Sequence, residues 1–219
     1  MLQLIRKPIR KLFLSYNQRR MSNVPFVIIS DNCWGAEIYK EFNRPYNTPF
    51  VGLFFHSPCF IRLLEDFNYY MEQPLHFVSK TKYPISEPNY PIALLGKDVE
   101  VHFLHYKDEA EATAKWLRRL ERMKQNSEWN NYYFKFSVET DKTEEVKDLL
   151  DRFYSLAFKN KLSFATSAYQ SANHILIKED KLPDGLSLYS ISRILFDVEY
   201  WLINGKIKNT FWNTLVKRI

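Results

Sequence analysis

Two short polar stretches hold the residues best suited to chemistry: Ser30-Asp31-Asn32-Cys33-Trp34-Gly35 and His56-Ser57-Pro58-Cys59, each directly after an apolar run. Cys33 falls near an expected helix start, where unpaired amides and the helix dipole favour a thiolate. His56 ends the neighbouring run and would serve as its base, with Asp31 or Asp66 orienting the ring, if the two runs are adjacent strands. Cys33 is equally readable as a small buried residue. The same helix start offers the amides of Asn32 to Gly35 to a phosphate or carboxylate, although the charge of Asp31 opposes an anion there. Trp34 offers a ring for a sugar or a base, or simply packs. Ser57 reads as a cap for the next helix, with Pro58 at its first position.

Further along, His102 and His105 share a β-rich run at a spacing that points them to opposite faces, so they form no metal pair, and His105 near the run's end is the better ligand contact. Arg119 and Arg122 are neighbours on one helix face and suit a phosphate, unless they are solvated. No Gly-x-Gly-x-x-Gly, Gly-x-x-x-x-Gly-Lys, Gly-x-Ser-x-Gly, His-Glu-x-x-His or Asp-x-Asp occurs, so the familiar dinucleotide, P-loop, hydrolase-elbow, zincin and metal-dependent sugar-nucleotide patterns lose support. The sequence names no cofactor and no metal site.

The elements that must position these residues follow an α/β pattern. Phe26 to Ile29 and Val51 to Phe55 read as strands apolar on both faces, each followed by a helix, with Phe60, Leu64, Phe67 and Met71 making the second helix's stripe. Leu75 to Val78 reads as a short strand. A hairpin is expected over 92–106 with its turn at Gly96-Lys97-Asp98, then a helix over 108–124 with acids early and bases late. Tyr132 to Val138 alternates as a strand. Asp141 and Glu144 suggest the next helix start, and strands are expected at 162–166 and 175–177. One helix carrying Leu188, Ile191, Leu195, Val198 and Leu202 should end at Asn204-Gly205, with a last helical stretch over 210–218. In such folds ligands bind beyond the carboxyl ends of parallel strands, which is where the two polar stretches lie.

The 219 residues carry a net charge of +6, all of it in the first twenty, where Arg6, Lys7, Arg10, Lys11, Arg19 and Arg20 occur with no acid; the remaining 199 residues are neutral overall. A neutral body argues against nucleic acid as a partner. Leu2, Ile5, Ile9, Leu12, Phe13 and Tyr16 share one helical face of this arm, the pattern of a helix lying on an anionic membrane surface, and equally of an arm docking on a partner subunit or of a tail; Pro8 would kink it or start a second segment. Charges interrupt its apolar stretches, so it does not read as a secretory signal, and no run reaches the ~18 apolar residues of a membrane span. Two cysteines exclude a disulfide scaffold.

Phe26 to Gly35, with Tyr46-Asn47-Thr48-Pro49-Phe50-Val51-Gly52-Leu53-Phe54, His102-Phe103-Leu104-His105-Tyr106 and Trp116 before Arg118-Arg119, resembles an uncharacterised bacterial domain family whose members are often labelled exopolysaccharide or capsular polysaccharide biosynthesis proteins. The likeness runs from about residue 24 to about 205 and omits the arm. It implies a cytoplasmic α/β protein, held at the inner face of the membrane where the arm makes that contact. The activity implied is a sugar or other group transferase acting on a sugar nucleotide or a lipid-linked glycan. In that picture Asp31 or His56 is the base, Arg119 and the helix start hold a phosphate, and Trp34 stacks on the sugar. A non-catalytic glycan- or nucleotide-sugar-binding module is the second reading, and a hydrolase or acyltransferase built on Cys33 the third. The expected architecture is an arm over 1–22 and one α/β domain over 23–219, with a mainly parallel, Rossmann-like sheet flanked by helices and an antiparallel hairpin.

Overall fold

The computed structural model describes residues 2–84, 88–140 and 142–208, with side chains from residue 12 onward except that of 143. The chain is α/β. β1 (Val27–Ser30) and β5 (Tyr132–Ser137) pair in parallel, followed across the sheet by β6 (Asn160–Ala165) and β7 (His174–Leu176), also parallel. β2 (Leu75–Val78), β3 (Ile92–Leu95) and β4 (Val99–His102) form a separate antiparallel sheet within the long connection from β1 to β5. Gly96, at a positive φ of 61°, makes the expected β3–β4 turn.

Period-two alternation divides the parallel strands between two cores. Val27, Ile29, Phe134 and Phe136 face a cluster shared with α3 (Ser57–Glu65), α4 (Phe67–Glu72), α5 (Glu109–Lys124), α6 (Thr143–Ser155) and the antiparallel sheet. Ile28, Tyr133, Leu162 and Phe164 face α2 (Trp34–Glu41), α7 (Gly185–Leu195) and α8 (Val198–Asn204). Burial on both faces is why apolar residues dominate β1 and β5, and it makes a buried charge in β5, taken up below, stand out.

The expected strand at Val51 to Phe55 does not join the parallel sheet. Gly52 takes a positive φ of 73°, which turns the chain, and only Phe54 pairs, through an antiparallel bridge to His102. Phe55 N–H donates to the Asp31 carbonyl at 2.8 Å, so this segment straps the two sheets together. The neighbour of β1 is therefore β5, a hundred residues away. Two expected single helices are pairs: Asp66 separates α3 from α4, and extended Phe196 with Asp197 separates α7 from α8, which ends at left-handed Gly205 as expected.

The arm is one helix, α1 (Leu2–Met21), assigned continuously through Pro8. Its last turns are docked: Asn17 and Met21 are buried, Asn17 donates to Glu199 at 2.5 Å, and Arg44 donates to the Met21 carbonyl at 2.7 Å. The cap expected at Asp141 and the helical stretch over 210–218 lie outside the described residues. Among the described residues no helix is long and apolar enough to cross a membrane.

Candidate functional site

The buried charge in β5 is Lys135, fully buried between the aromatic positions of a central strand. Its Nζ donates to Asp31 Oδ1 at 2.9 Å, to Asn32 Oδ1 at 2.8 Å and to Ser137 Oγ, which uses all three of its hydrogens. Asp31 Oδ2 accepts from the Ser137 amide at 3.2 Å, so both carboxylate oxygens are engaged. Asn32 Oδ1 also accepts from the Trp34 amide at 3.1 Å, and Asn32 Nδ2 reaches Ser137 Oγ at 3.4 Å. Burial pushes the Asp31 carboxyl up against the pull of Lys135, and pushes the Lys135 ammonium down against the pull of Asp31. The proton of the pair is thereby brought closer to even sharing than in water.

Two more groups complete this end of the sheet. Ser57, the first residue of α3, does not cap its helix; His56 holds the cap position. Ser57 Oγ instead donates to the Ser137 carbonyl at 3.3 Å and accepts from the Glu139 amide at 2.9 Å, fixing the chain as it leaves β5. Glu139 is exposed, yet protein crowds its carboxyl closely enough that desolvation, reinforced by the charge of Asp31 and only partly offset by Lys135, pushes its pKa up to about 7. The cluster thus places a carboxyl that exchanges its proton near neutral pH beside a rigid polar network at the carboxyl ends of β1 and β5.

The matches to known proteins cover most of the chain. A family described as Domain of unknown function (DUF1919) matches residues 4–184, and a Haemophilus influenzae protein named Uncharacterized protein is 36% identical over 152 residues, covering 69% of this chain and 67% of that one. The chain belongs to the DUF1919 family. The DUF1919 match begins at residue 4 and so takes in α1, which the sequence resemblance leaves out, and it ends at 184, at the cap of α7. Neither description carries the polysaccharide label that the resemblance implies.

Within this DUF1919 chain the sequence-expected residues separate. Asp31, Asn32 and Ser57 meet in the cluster around Lys135. Cys33 does not act as an exposed thiolate: its Sγ faces the Leu53 carbonyl at 4.0 Å, and burial pushes the thiol up, outweighing the nearby Lys135. His56 lies elsewhere, its ring stacked on Tyr83 at 3.6 Å and edge-on to Phe54 and His102. Burial, with the His102 ring behind it, lowers His56 to about 4, and its Nε2 is buried without a hydrogen-bond partner. The thiol and the imidazole face different partners because the Val51–Phe55 segment is not a sheet neighbour of β1. His102 is itself fixed, with Nε2 2.7 Å from Glu100 Oε1 and Nδ1 3.4 Å from the Tyr90 hydroxyl. Burial raises the Glu100 carboxyl, but the Thr81 hydroxyl, the Lys82 amide and His102 outweigh it and hold the pKa below the usual value.

Three expected ligand contacts are occupied by the protein. Trp34 is fully buried against Phe164, Tyr189 and Trp201, with Nε1 donating to Ser192 Oγ at 3.1 Å, so it has no face to offer a sugar. The start of α2 is covered by α7: a Cβ at Gly185 would stand 2.8 Å from the Trp34 amide nitrogen and 2.9 Å from that of Cys33, which closes the anion site expected at Asn32 to Gly35. Gly35 itself serves close packing, since a Cβ there would meet Ile28 and Ser30 at 2.9 Å. Arg119 is buried, donating to the Tyr106 hydroxyl at 2.6 Å and the Val51 carbonyl at 3.3 Å, so it holds the Gly52 turn rather than a phosphate. Arg122 donates to the Tyr46 carbonyl at 3.1 Å. His105 is exposed beside Gly52, with its amide on the Gly52 carbonyl at 3.1 Å. Lys135 and Glu139 carry no motif; the one sequence signal for them is a single charge inside the aromatic run Tyr132-Tyr133-Phe134-Lys135-Phe136, followed by an acid just past its end.

Proposed function

We propose that this protein is a group transferase acting on a hydroxyl of a surface glycan or its precursor, with Glu139 as the base. The observation that carries the reading is Glu139, an exposed acid just past β5 whose surroundings push its pKa up to about 7, where the proton affinity of a general base matches neutral pH. Glu139 takes the acceptor's hydroxyl proton as that oxygen bonds to the anomeric carbon of a nucleotide-activated sugar. The bond to the nucleotide phosphate breaks, and the phosphate leaves with the electron pair. The base role passes to Glu139 because both Asp31 oxygens are already engaged. Asp31, Lys135 and Ser57 keep the strand ends in place and set the field around Glu139. The substrate class is supported by the sequence likeness to proteins labelled for exopolysaccharide or capsular polysaccharide biosynthesis.

A second reading, a non-catalytic module for the same ligands, is favoured by one observation: the Asp31–Lys135 network is buried and internally satisfied, so its own groups are engaged in holding the strand ends rather than free for proton transfer. Thermal shift of the full chain against nucleotide sugars and short glycans, followed by product analysis, separates the two. A ligand at 100 times its Kd adds about 2.7 kcal/mol of apparent stability. Binding with turnover that Glu139→Gln abolishes while keeping affinity supports the transferase. Binding without turnover in either protein supports the module, and turnover unchanged in Glu139→Gln rejects Glu139 as the base.

A further inference from the structure

The face of α1 that docks on the body is not its apolar face. Asn17 and Met21, one turn apart, are buried against the body, and Gln18 donates to the Glu41 carbonyl at 2.8 Å. Leu12 lies about two and a half turns before Met21, on the opposite side of the helix. It is 72% exposed, and Tyr16, one turn further along the same row, is 61% exposed. Backbone position alone places Leu2, Ile5 and Ile9 in that row, and exposed Arg19 and Arg20 flank it. An amphipathic helix ordinarily turns its apolar stripe toward the core. Here the stripe points away from the body that the helix is fastened to.

We propose that α1 binds the surface of an anionic lipid bilayer, with the Leu12–Tyr16 row immersed and the arm's basic residues at the headgroups. Charge selects this occupant. Six basic residues and no acid lie within the first twenty positions, while the rest of the chain is neutral overall. A second copy of α1 would set like charge against like charge, whereas an anionic leaflet supplies the opposite sign over the whole length of the helix. Apolar immersion and charge attraction act together in such helices, and each Lys or Arg near an anionic surface strengthens binding roughly fivefold. The docked last turns fix the angle at which the body meets the membrane. The proposal goes beyond the group-transfer reading and stands apart from it, since it involves neither Glu139 nor the cluster around Lys135.

The test is flotation of the full chain with vesicles of phosphatidylcholine alone and of phosphatidylcholine with phosphatidylglycerol. The chain should float with the mixed vesicles only and be released by salt. Leu12→Glu with Tyr16→Glu should weaken binding at least about tenfold, while near-ultraviolet circular dichroism stays as in the wild type because both positions are exposed. Arg19→Gln with Arg20→Gln should weaken it roughly 25-fold at low salt. Several outcomes overturn the proposal: a wild-type chain that stays in solution, one that floats equally with both vesicles, or a double glutamate variant that binds as the wild type does. A dimer that the glutamate pair dissolves, or capture by an acidic protein without flotation, would assign the face to a protein partner instead.

Discussion

At the scale of residues the decisive group is Lys135. Its charge is tolerable in a central strand only because Asp31, Asn32 and Ser137 accept a hydrogen bond from each of its three N–H groups. Removing one partner of a buried pair strands the other, so Lys135→Met should lower stability by about 3–5 kcal/mol in urea unfolding, and adding Asp31→Leu should restore most of the loss. Two groups should shape the pH dependence in opposite senses. Glu139, raised from 4.5 to about 7, holds its proton in the folded chain where the unfolded chain has lost it, so its contribution is full below about 4.5 and is lost as pH rises to about 7. His56, lowered from 6.5 to about 4, contributes stability above about 6.5 that is lost as pH falls to about 4. Melting temperature against pH should therefore climb more steeply than wild type between 4.5 and 7 in Glu139→Gln, and less steeply between 4 and 6.5 in His56→Phe; parallel curves for all three would refute both assignments. Asp31, Asn32 and Ser57 were legible as polar residues after apolar runs. Lys135 was not, because a charge in an alternating run reads as a solvent position until the strand on each side is known.

At the scale of elements, hydrophobic period and turn chemistry were enough for most helices, for the Gly96 hairpin and for the four parallel strands. They failed where one residue overrides an apolar run. Gly52 converts Val51 to Phe55 from a strand into a turn and a strap, and Asp197 starts a new helix inside what reads as a continuous stripe. Pairing was illegible as well, since nothing in residues 26–35 names Tyr132 as the partner of Val27. A close approach of backbone to backbone is at Gly185, where α7 begins against Cys33 and Trp34. A side chain there meets backbone, which cannot move aside as a flexible side chain can. Gly185→Ala should cost about 1–3 kcal/mol, and each kcal/mol corresponds to a fall in melting temperature of about 2–4 °C for a chain of this size. A melting temperature equal to wild type would show that α7 can lift off α2 without loss.

At the scale of the whole molecule, the parallel sheet and the antiparallel insert share one large core but are stitched at the backbone chiefly by the Phe54–His102 bridge and the Phe55–Asp31 hydrogen bond. β5 lies between β1 and β6, whereas β2 is an outer strand of the insert with partly exposed side chains. Amide exchange should accordingly be slowest in β5 and faster in β2, because local openings start where packing is thin. Equal protection in the two strands would mean that the sheets unfold only together. The register Val27 to Tyr132 carries a further consequence for the chain as it is made. At roughly 5–20 residues per second, the ribosome releases β1 about 5–20 s before its sheet partner β5 exists. During that interval Val27, Ile28 and Ile29 form an unpaired apolar segment, a natural handle for a chaperone and the place where nascent copies of this protein would first stick to one another.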